Sequence, residues 1–599
     1  MPTKVLGYSA ASVAAIGVAL GVGIDINQQP TNGAAFVSPI VLNQSICGKD
    51  ADAMRQRRGY FIKTAAAWAA ETDEATPKMA DAGGPTQREG IAYAISTDTA
   101  AAQAYFNEGV AHMWNFNHGA AVASFKKAQA ADPDCAMCFW GEALALGPNI
   151  NAPMDAAAVE PAIAAMRAAQ ARKDGATDKE KALIDAIEAR YAKPLAMMER
   201  LVLDEAFADK MDAITRANPD DDLLAALAAE ANMDTQPWDY WEADGRTPKG
   251  RTARTIELLE GVLARNPDHI AAIHLYIHMT EATTNPYRAA PYADKLDDLA
   301  PGLGHLIHMP SHTYYKIGRF KESIDINVRA AMADEAFIAT GEASPFYEFG
   351  YYVHNVHFLM ASALMAGDGD TALKMAKKLD EKLPVEMALA VPFAQPIKAA
   401  PYFAMATFAD PEDVLALPAP DAGAPFLVAT WRYARGEALA KLGRADEAAA
   451  EADAIAAIGA TNPFEELNNV NIPTADILKL AELTVRARAS ASEDDLASAI
   501  ASMEDAVAVQ ETINYTEPPY WYYPARRTLA ALTLQHGDAE RAEQLFMETL
   551  VEAPNSGWAY YGLGQALAAQ GDKAGRKLAE RLFKDAWIGD KSSIALDRL

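Results

Sequence analysis

The chain has 599 residues, of which 51% are hydrophobic and 22% charged, and its formal net charge at pH 7 is -28. This acidic balance argues against nucleic acid as a partner, because binding to phosphates requires a basic surface. The length exceeds that of one compact core and indicates several domains or one long repetitive array. Alanine-rich segments with few β-branched runs predict an all-α fold.

The N-terminal segment is apolar. Residues 5–24 carry no charge and follow Lys4, which is typical of a secretory signal or a membrane anchor. We therefore interpret 1–35 as a signal peptide, cleaved near "GAA" (33–35), or as an N-terminal anchor, and both alternatives stay open. Residues 36–97 are rich in turn-forming types and are interpreted as a leader or linker. The body is expected to be exported and periplasmic.

From residue 98 onward, apolar helical runs alternate with short turns such as "DPD", "NPD" and "LGR". In the stretch "FNEGVAHMWNFNHGAAVASFKKAQAADP", five residues fall at positions 8, 20, 24, 27 and 32 of a 34-residue unit; they are Gly109, Ala121, Phe125, Ala128 and Pro133. Four later prolines return at position 32, namely Pro267, Pro301, Pro384 and Pro554. Self-similarity at a fixed period predicts a stack of helix pairs.

This pattern resembles the tetratricopeptide repeat (TPR) family. The resemblance implies an α-solenoid, a right-handed superhelix whose first helices line a concave groove. It divides the body into N-terminal repeats (98–235), central histidine-rich repeats (236–384) and C-terminal repeats (385–599). Phrases such as "GHLIHMPSH" and "HNVHFL" are similar to an exported bacterial TPR subgroup, and that similarity implies a fold but no reaction.

Seven of the eleven histidines fall between residues 274 and 357. They are His274, His278, His305, His308, His312, His354 and His357. In the repeat frame they occupy positions 2, 5 and 9 of three successive units, so those on one helix share a face. Because equivalent positions on adjacent first helices lie about 8 to 10 Å apart between axes, their imidazoles are predicted to meet on a metal ion.

One tetrahedral ion binds four ligands, so seven imidazoles indicate either two ions in the groove or some rings that do not bind the ion. Such rings would hydrogen-bond the ligands or act as acid-base groups. Two sites are favoured. The core ligands are predicted to be His274, His278, His308 and His312, and the second site is predicted to be completed by His305, His354 and His357.

The donor set favours copper over zinc, because it is rich in imidazole and poor in carboxylate, and Met279 and Met309 directly follow two of the histidines. Copper suits redox chemistry, and zinc suits hydrolysis by a polarised water. Glu281 shares the histidine register, and Tyr315 lies one helical turn beyond His312. Both are candidate catalytic groups, with the tyrosine hydroxyl as a proton donor. The substrate is expected to be a small molecule or peptide in the groove.

A non-catalytic function remains the alternative, in which the groove binds a protein or peptide partner or the histidines store and deliver metal. Cys135 and Cys138 indicate a local disulfide or buried thiols. His118 is interpreted as a turn residue, or else as a distant additional ligand. The aromatic segment 517–527, "EPPYWYYPARR", is interpreted as a rigid connection with no chemistry assigned.

Overall fold

The computed structural model describes residues 90–191, 197–591 and 594–599. Within these ranges the chain forms 27 α-helices with a few short 3₁₀ and π turns and no β-strand, which confirms the all-α prediction. None of the helices in these ranges is both long and apolar enough to cross a membrane. The predicted signal peptide or anchor at 1–35, and the leader up to residue 89, lie outside the described residues.

The helices are numbered in chain order. The N-terminal ones are α1 (Ala100–Trp114), α2 (His118–Ala131), α3 (Ala136–Ala145), α4 (Val159–Ala171), α5 (Asp178–Arg190), α6 (Met197–Ala217), α7 (Asp222–Asp234) and α8 (Thr252–Arg265). The central ones are α9 (Ile270–Glu281), α10 (Ala290–Leu299), α11 (Gly304–His308), α12 (Pro310–Ile317), α13 (Phe320–Ile338), α14 (Val353–Ala366) and α15 (Gly369–Lys382). The C-terminal ones are α16 (Val385–Ala390), α17 (Gln395–Phe408), α18 (Pro411–Leu415), α19 (Pro425–Lys441), α20 (Ala445–Thr461), α21 (Glu465–Asn468), α22 (Thr474–Ser492), α23 (Leu496–Gln510), α24 (Ala525–Gln535), α25 (Ala539–Glu552), α26 (Gly557–Ala569) and α27 (Lys573–Ala586).

Consecutive helices stack as pairs, and the repeat residues explain the close packing. The Phe125 ring from α2 lies against the backbones of α1 and α3, where a Cβ atom at Gly109 or Gly141 would come within 2.6 Å or 2.5 Å of it. Gly562 and Phe546 repeat this contact near the C-terminus, at 2.1 Å. Each ring fills the gap between a pair and its neighbour, so the small residues are required sterically.

The stack folds back on itself. The indole Nε1 of Trp558 on α26 donates to the Leu364 carbonyl on α14 at 3.0 Å. The backbone N–H of Ile588 donates to the Ala366 carbonyl at 3.0 Å. Gly367, with a φ of 74°, ends α14 directly beneath the Trp587 ring, where a Cβ atom would lie 2.5 Å from it. The last repeats therefore contact the central ones.

Two hydrophobic clusters make up the core. One extends from Ile91 to Tyr351 and the other from Phe320 to Leu599. Helices α9 and α11 contribute to the first cluster and α14 to the second. Helix α12 contacts both, because Tyr314 belongs to the first cluster and Tyr315 packs against the second. The groove expected at this point is filled rather than open, because Phe116 from the N-terminal repeats and the segment around residues 515–522 pack against the histidines.

Candidate metal centre

Four helices carry the predicted ligands. His274 and His278 lie on α9, His305 and His308 on α11, His312 on α12, and His354 and His357 on α14. The four-residue spacing from His274 to His278 places this pair on one face of α9. The same spacing brings His308, the last residue of α11, close to His312 on α12, with ring centres 4.6 Å apart. Five of these side chains are at most 2% exposed, namely His274, His278, His305, His308 and His312, while His354 is half-buried.

The structure brings six of the seven histidines together in two groups of three. One group contains His274, His278 and His305, and the other contains His308, His312 and His354. Within each group, one ligand atom per residue lies within 4.8 Å of the others. Three donors around one tetrahedral ion, with bonds of about 2.0 Å, are separated by roughly 3.3 Å. Small ring movements therefore suffice to close each group around an ion.

The predicted core set of His274, His278, His308 and His312 is divided between the two groups, and the grouping differs from the prediction in two further respects. His305 joins the α9 pair, since its Nε2 lies 3.2 Å from Nε2 of His274. His357 belongs to neither group, because its Nε2 and the Tyr522 hydroxyl are hydrogen-bonded at 2.6 Å. The physical reason for the first difference is that position 2 of one repeat lies beside positions 5 and 9 of the preceding repeat, a neighbour relation that the 34-residue spacing does not express.

The protonation of the second group follows from its neighbours. Asn327 uses its Nδ2 to donate to the Ser323 carbonyl at 2.7 Å, so its Oδ1 faces Nδ1 of His308 at 2.6 Å and accepts from it. Nδ1 of His312 donates to the Glu281 carboxylate at 2.6 Å, and a carboxylate oxygen of Glu517 lies 2.7 Å from the same nitrogen. Both rings therefore carry their proton on Nδ1, and both Nε2 atoms keep a free lone pair.

These two Nε2 atoms lie 2.7 Å apart. Two lone pairs at this distance repel each other, and neither ring has a proton on that nitrogen to place between them. A cation between the nitrogens turns the repulsion into coordination. His308 and His312 therefore have the chemistry of a metal-binding pair. This conclusion depends on the oxygen acceptors that face Nδ1 of each ring, because they determine which nitrogen carries the proton.

Burial keeps the imidazoles neutral. It lowers the pKa of His274 and His278 to about 3 and that of His354 to about 4. Burial, followed by the other imidazoles, also holds the pKa of three more rings well below its ordinary value; these are His305, His308 and His312. The neutral imidazole is the form that binds a metal, so the groups do not depend on deprotonation at neutral pH.

Glu281, a candidate catalytic residue, lies between the two groups and is 0% exposed. Its Oε1 accepts from Nδ1 of His278 at 2.9 Å, and its Oε2 accepts from Nδ1 of His312. One carboxylate thus orients a ring of each group. Burial raises the pKa of Glu281, against the lowering effect of its hydrogen bond with His278.

Glu517 and Tyr515 complete this arrangement, although sequence reasoning assigned them no role. The Tyr515 hydroxyl donates to Glu517 Oε2 at 2.7 Å and to Glu281 Oε2 at 3.2 Å. The ammonium group of Lys316 lies over the Tyr515 ring, 5.1 Å from its centre. The only signal in the sequence was the unusual segment 517–527, which gave no indication that it reaches the histidines.

Aromatic rings surround the first group. Phe116 lies 4.5 Å from His274 and 5.1 Å from His305 between ring centres. Trp238 contacts His278 edge-on at 5.2 Å, and Tyr351 contacts His305 at 4.9 Å. These rings exclude water from the imidazoles, which strengthens electrostatic interactions inside the site.

Tyr315, the other candidate catalytic residue, packs against Phe320 and Phe358, with ring centres 5.4 and 5.6 Å apart. No hydrogen bond joins it to any of the described histidines. His118 contacts the Asn149 side chain at 3.2 Å, outside both groups. Cys135 and Cys138 form a disulfide.

No protein-family model and no curated protein matches this chain. Solved structures similar to it include helical repeat proteins. Yeast Tom70 is 13% identical, with 88% of this chain and 96% of that chain covered and a TM-score of 0.25. The TPR domain of P58(IPK) is 11% identical, with 79% and 99% covered and a TM-score of 0.20. Human IFIT1, solved as a dimer with m7Gppp-AAAA, is 11% identical, with 81% and 95% covered and a TM-score of 0.30. At these values the fold assignment depends on the stacked helix pairs of the chain itself.

Proposed function

We propose that this chain is an exported metalloprotein whose central repeats bind two transition-metal ions, with copper favoured over zinc. One ion is held by His274, His278 and His305, and the other by His308, His312 and His354. The observation that carries the proposal is the 2.7 Å separation of the His308 and His312 Nε2 atoms, both of which have free lone pairs.

The choice of metal follows from the donors. Six neutral imidazoles, with the carboxylates of Glu281 and Glu517 within ligand distance of His278 and His312, suit copper or zinc better than magnesium, calcium or manganese. Three protein ligands leave a coordination position for a substrate, as in catalytic metal sites. We therefore propose a metal-dependent oxidoreductase, in which copper supplies one-electron chemistry. Hydrolysis by a zinc-bound water is the second candidate reaction.

The residues around the two proposed ions have different functions. Glu281 holds one imidazole of each group in the orientation that directs Nε2 inward. The Tyr515 hydroxyl donates to Glu517, whose carboxylate lies 2.7 Å from Nδ1 of His312, and this chain of polar groups suits proton transfer to and from the site.

Storage or delivery of metal by a non-catalytic scaffold is a second candidate function. It is favoured by the near-complete burial of five of the six ligands, which slows exchange with small molecules. Turnover distinguishes the two functions, since a storage protein binds and releases the ion but leaves an oxidisable compound unchanged.

Metal analysis of protein purified without a histidine tag tests the proposal. Mass spectrometry is expected to find about two copper or zinc ions per chain. The variant with both His308→Gln and His312→Gln is expected to lose the second ion while staying helical by circular dichroism. His357→Gln is the matched control, because it removes a buried histidine outside both groups. Helical wild-type protein with no bound metal after copper and zinc loading contradicts the proposal.

A further inference from the structure

A further cluster of donor atoms, here called the mixed cluster, lies between the two histidine groups. It consists of His278, Glu281, His312 and Glu517, and one ligand atom of each lies within 4.8 Å of the others. The two nitrogens are Nδ1 atoms. That of His278 lies 2.9 Å from Glu281, and that of His312 lies 2.6 Å from Glu281 and 2.7 Å from Glu517. Two nitrogens and two carboxylates therefore converge on the opposite side of the rings from Nε2.

The mixed cluster is buried, and its hydrogen bonding is incomplete. The side chain of Glu517 is 9% exposed and the other three are at most 2% exposed. Oε1 of Glu517 is buried without a hydrogen-bond partner among the described residues. Its Oε2 and that of Glu281 both face Nδ1 of His312, which has only one proton to donate. Buried carboxylate oxygens without partners are costly, so a cation is expected to stabilise them.

No basic side chain takes this place. In the part of the chain that the structure describes, Glu281 and Glu517 form ion pairs only with the imidazoles, and the ammonium group of Lys316 lies over the Tyr515 ring. Burial raises the pKa of Glu281, and a metal ion displaces any proton that its carboxylate carries. The positions of the four donors, rather than the ionisation of Glu281, thus favour a metal ion here.

The donor types indicate zinc. In proteins Zn²⁺ is bound by histidine nitrogens and carboxylate oxygens at about 2.0 to 2.2 Å, and its structural sites have four protein ligands with no open position. Donors around such an ion are separated by roughly 3.3 Å, so small side-chain movements suffice to close the mixed cluster around it. The histidine groups differ in that each offers three imidazoles and leaves a position open.

We propose that the mixed cluster binds a zinc ion that joins the connection between α23 and α24 to helices α9 and α12. Tyr515 and Glu517 lie on this connection, and Tyr515 is 234 residues from Glu281 along the chain. The Tyr515 hydroxyl lies 2.7 Å from Oε2 of Glu517 and 3.2 Å from Oε2 of Glu281, and it orients both carboxylates. The ion thus stabilises the contact between the C-terminal and central repeats.

The zinc site shares His278 and His312 with the histidine groups but uses the other nitrogen of each ring. Where an ion of a histidine group occupies Nε2, the ring binds zinc as a bridging imidazolate, and its Nδ1 proton passes to solvent. Without that ion the proton moves to Nε2. Bridging therefore rests on the proposed function, whereas zinc binding through Nδ1 does not. Loss of the protons weakens this third ion, so it is expected only when zinc is supplied.

Calorimetric titration with zinc chloride tests the proposal, on protein that already holds about two equivalents of copper. Wild-type protein is expected to bind about one zinc ion in addition and to gain thermal stability from it. Glu517→Ala is expected to lose both effects and to keep its copper. Glu511→Ala is the matched control, because Glu511 follows α23 but pairs with Arg526 and is 61% exposed. Absence of zinc uptake by wild-type protein, or equal uptake by Glu517→Ala, overturns the proposal.

Diffraction data collected on both sides of the zinc absorption edge, from crystals grown with zinc, separate this site from the histidine groups. The expected peak lies within about 2.2 Å of Nδ1 of His278, Nδ1 of His312 and both carboxylates. Zinc at this position with no metal in either histidine group supports the zinc site and contradicts the proposed function. Metal in the histidine groups with no zinc at this position overturns the zinc site alone.

Discussion

Oδ1 of Asn327 lies 2.6 Å from Nδ1 of His308, and this contact places the proton of the ring on the side away from His312. The two residues come from different helices, α13 and α11, and Asn327 is 0% exposed. An amide whose nitrogen is already used by a backbone carbonyl can only accept here. The direction of the His308 lone pair is thus set from outside the histidine group.

Replacement of Asn327 is expected to weaken metal binding. Asn327→Leu keeps the approximate volume but removes the acceptor behind His308, so the affinity for copper or zinc is expected to fall by about 10- to 100-fold. Competition with a chelator of known affinity measures the change. Ser362→Ala is the control, since Ser362 hydrogen-bonds Ser323 at 2.7 Å and touches no ligand. An unchanged affinity in Asn327→Leu would show that the acceptor does not orient the ring.

The two carboxylates behind His312 are expected to differ in importance. Glu281→Gln disturbs a ring of each group, because one amide cannot accept through both of its terminal atoms, whereas Glu517→Gln disturbs only His312. The loss of metal affinity is therefore expected to be larger for Glu281→Gln and to extend to both ions. Metal content per chain, measured after dialysis against increasing chelator, checks this order. A larger loss for Glu517→Gln contradicts it.

Acid is expected to destabilise the fold through buried histidines outside the metal groups. His269 is 2% exposed, caps α9 by accepting from the Ala272 N–H at 3.2 Å, and has its pKa lowered to about 4 by burial. Because the folded pKa is below the unfolded value of about 6.5, the unfolded chain binds the proton more readily, so this contribution is present above pH 6.5 and is lost as the pH falls towards 4. It amounts to about 3 kcal/mol at most.

His269→Asn isolates that contribution, since asparagine also caps helices but does not titrate. Its thermal midpoint is expected to fall less steeply than that of wild-type protein between pH 6.5 and pH 4. Parallel curves for the two proteins would mean that His269 does not carry the pH dependence.

Because of the packing between repeats, alanine substitutions at two helical glycines are expected to change the stability of the fold in opposite directions. Gly109→Ala places a Cβ atom 2.6 Å from the Phe125 ring and is expected to destabilise the fold by about 1 to 3 kcal/mol through overpacking. Gly261→Ala on α8 meets only the Arg265 side chain at 3.6 Å and is expected to stabilise it by about 0.5 to 1 kcal/mol. Chemical denaturation of both variants checks the sign of each effect.

Local patterns in the sequence predict the helices and the histidine positions well. The 34-residue spacing and the placement of small residues describe contacts between adjacent pairs, and Phe125 against Gly109 and Gly141 is such a contact. Such contacts between adjacent pairs are what a periodic pattern expresses. The convergence of His274 and His305 also joins adjacent repeats, but the 34-residue spacing pairs His274 with His308 and therefore does not predict it.

Contacts across the array could not be predicted in this way. Tyr515 lies 234 residues from Glu281, and Tyr522 lies 165 residues from His357. They meet because the stack folds back, and no repeat position encodes that closure. Phe116 and the C-terminal segment reach the histidines in the same way, through contacts between distant parts of the chain.

The central claim is that each of the two imidazole triads binds one metal ion. Crystals of untagged protein grown with copper, with diffraction data collected on both sides of the copper absorption edge, test it most directly. The account predicts two anomalous peaks, one within about 2.3 Å of nitrogen atoms of His274, His278 and His305 and one similarly placed among His308, His312 and His354. Anomalous density absent from both triads, or found only at the protein surface, would contradict it.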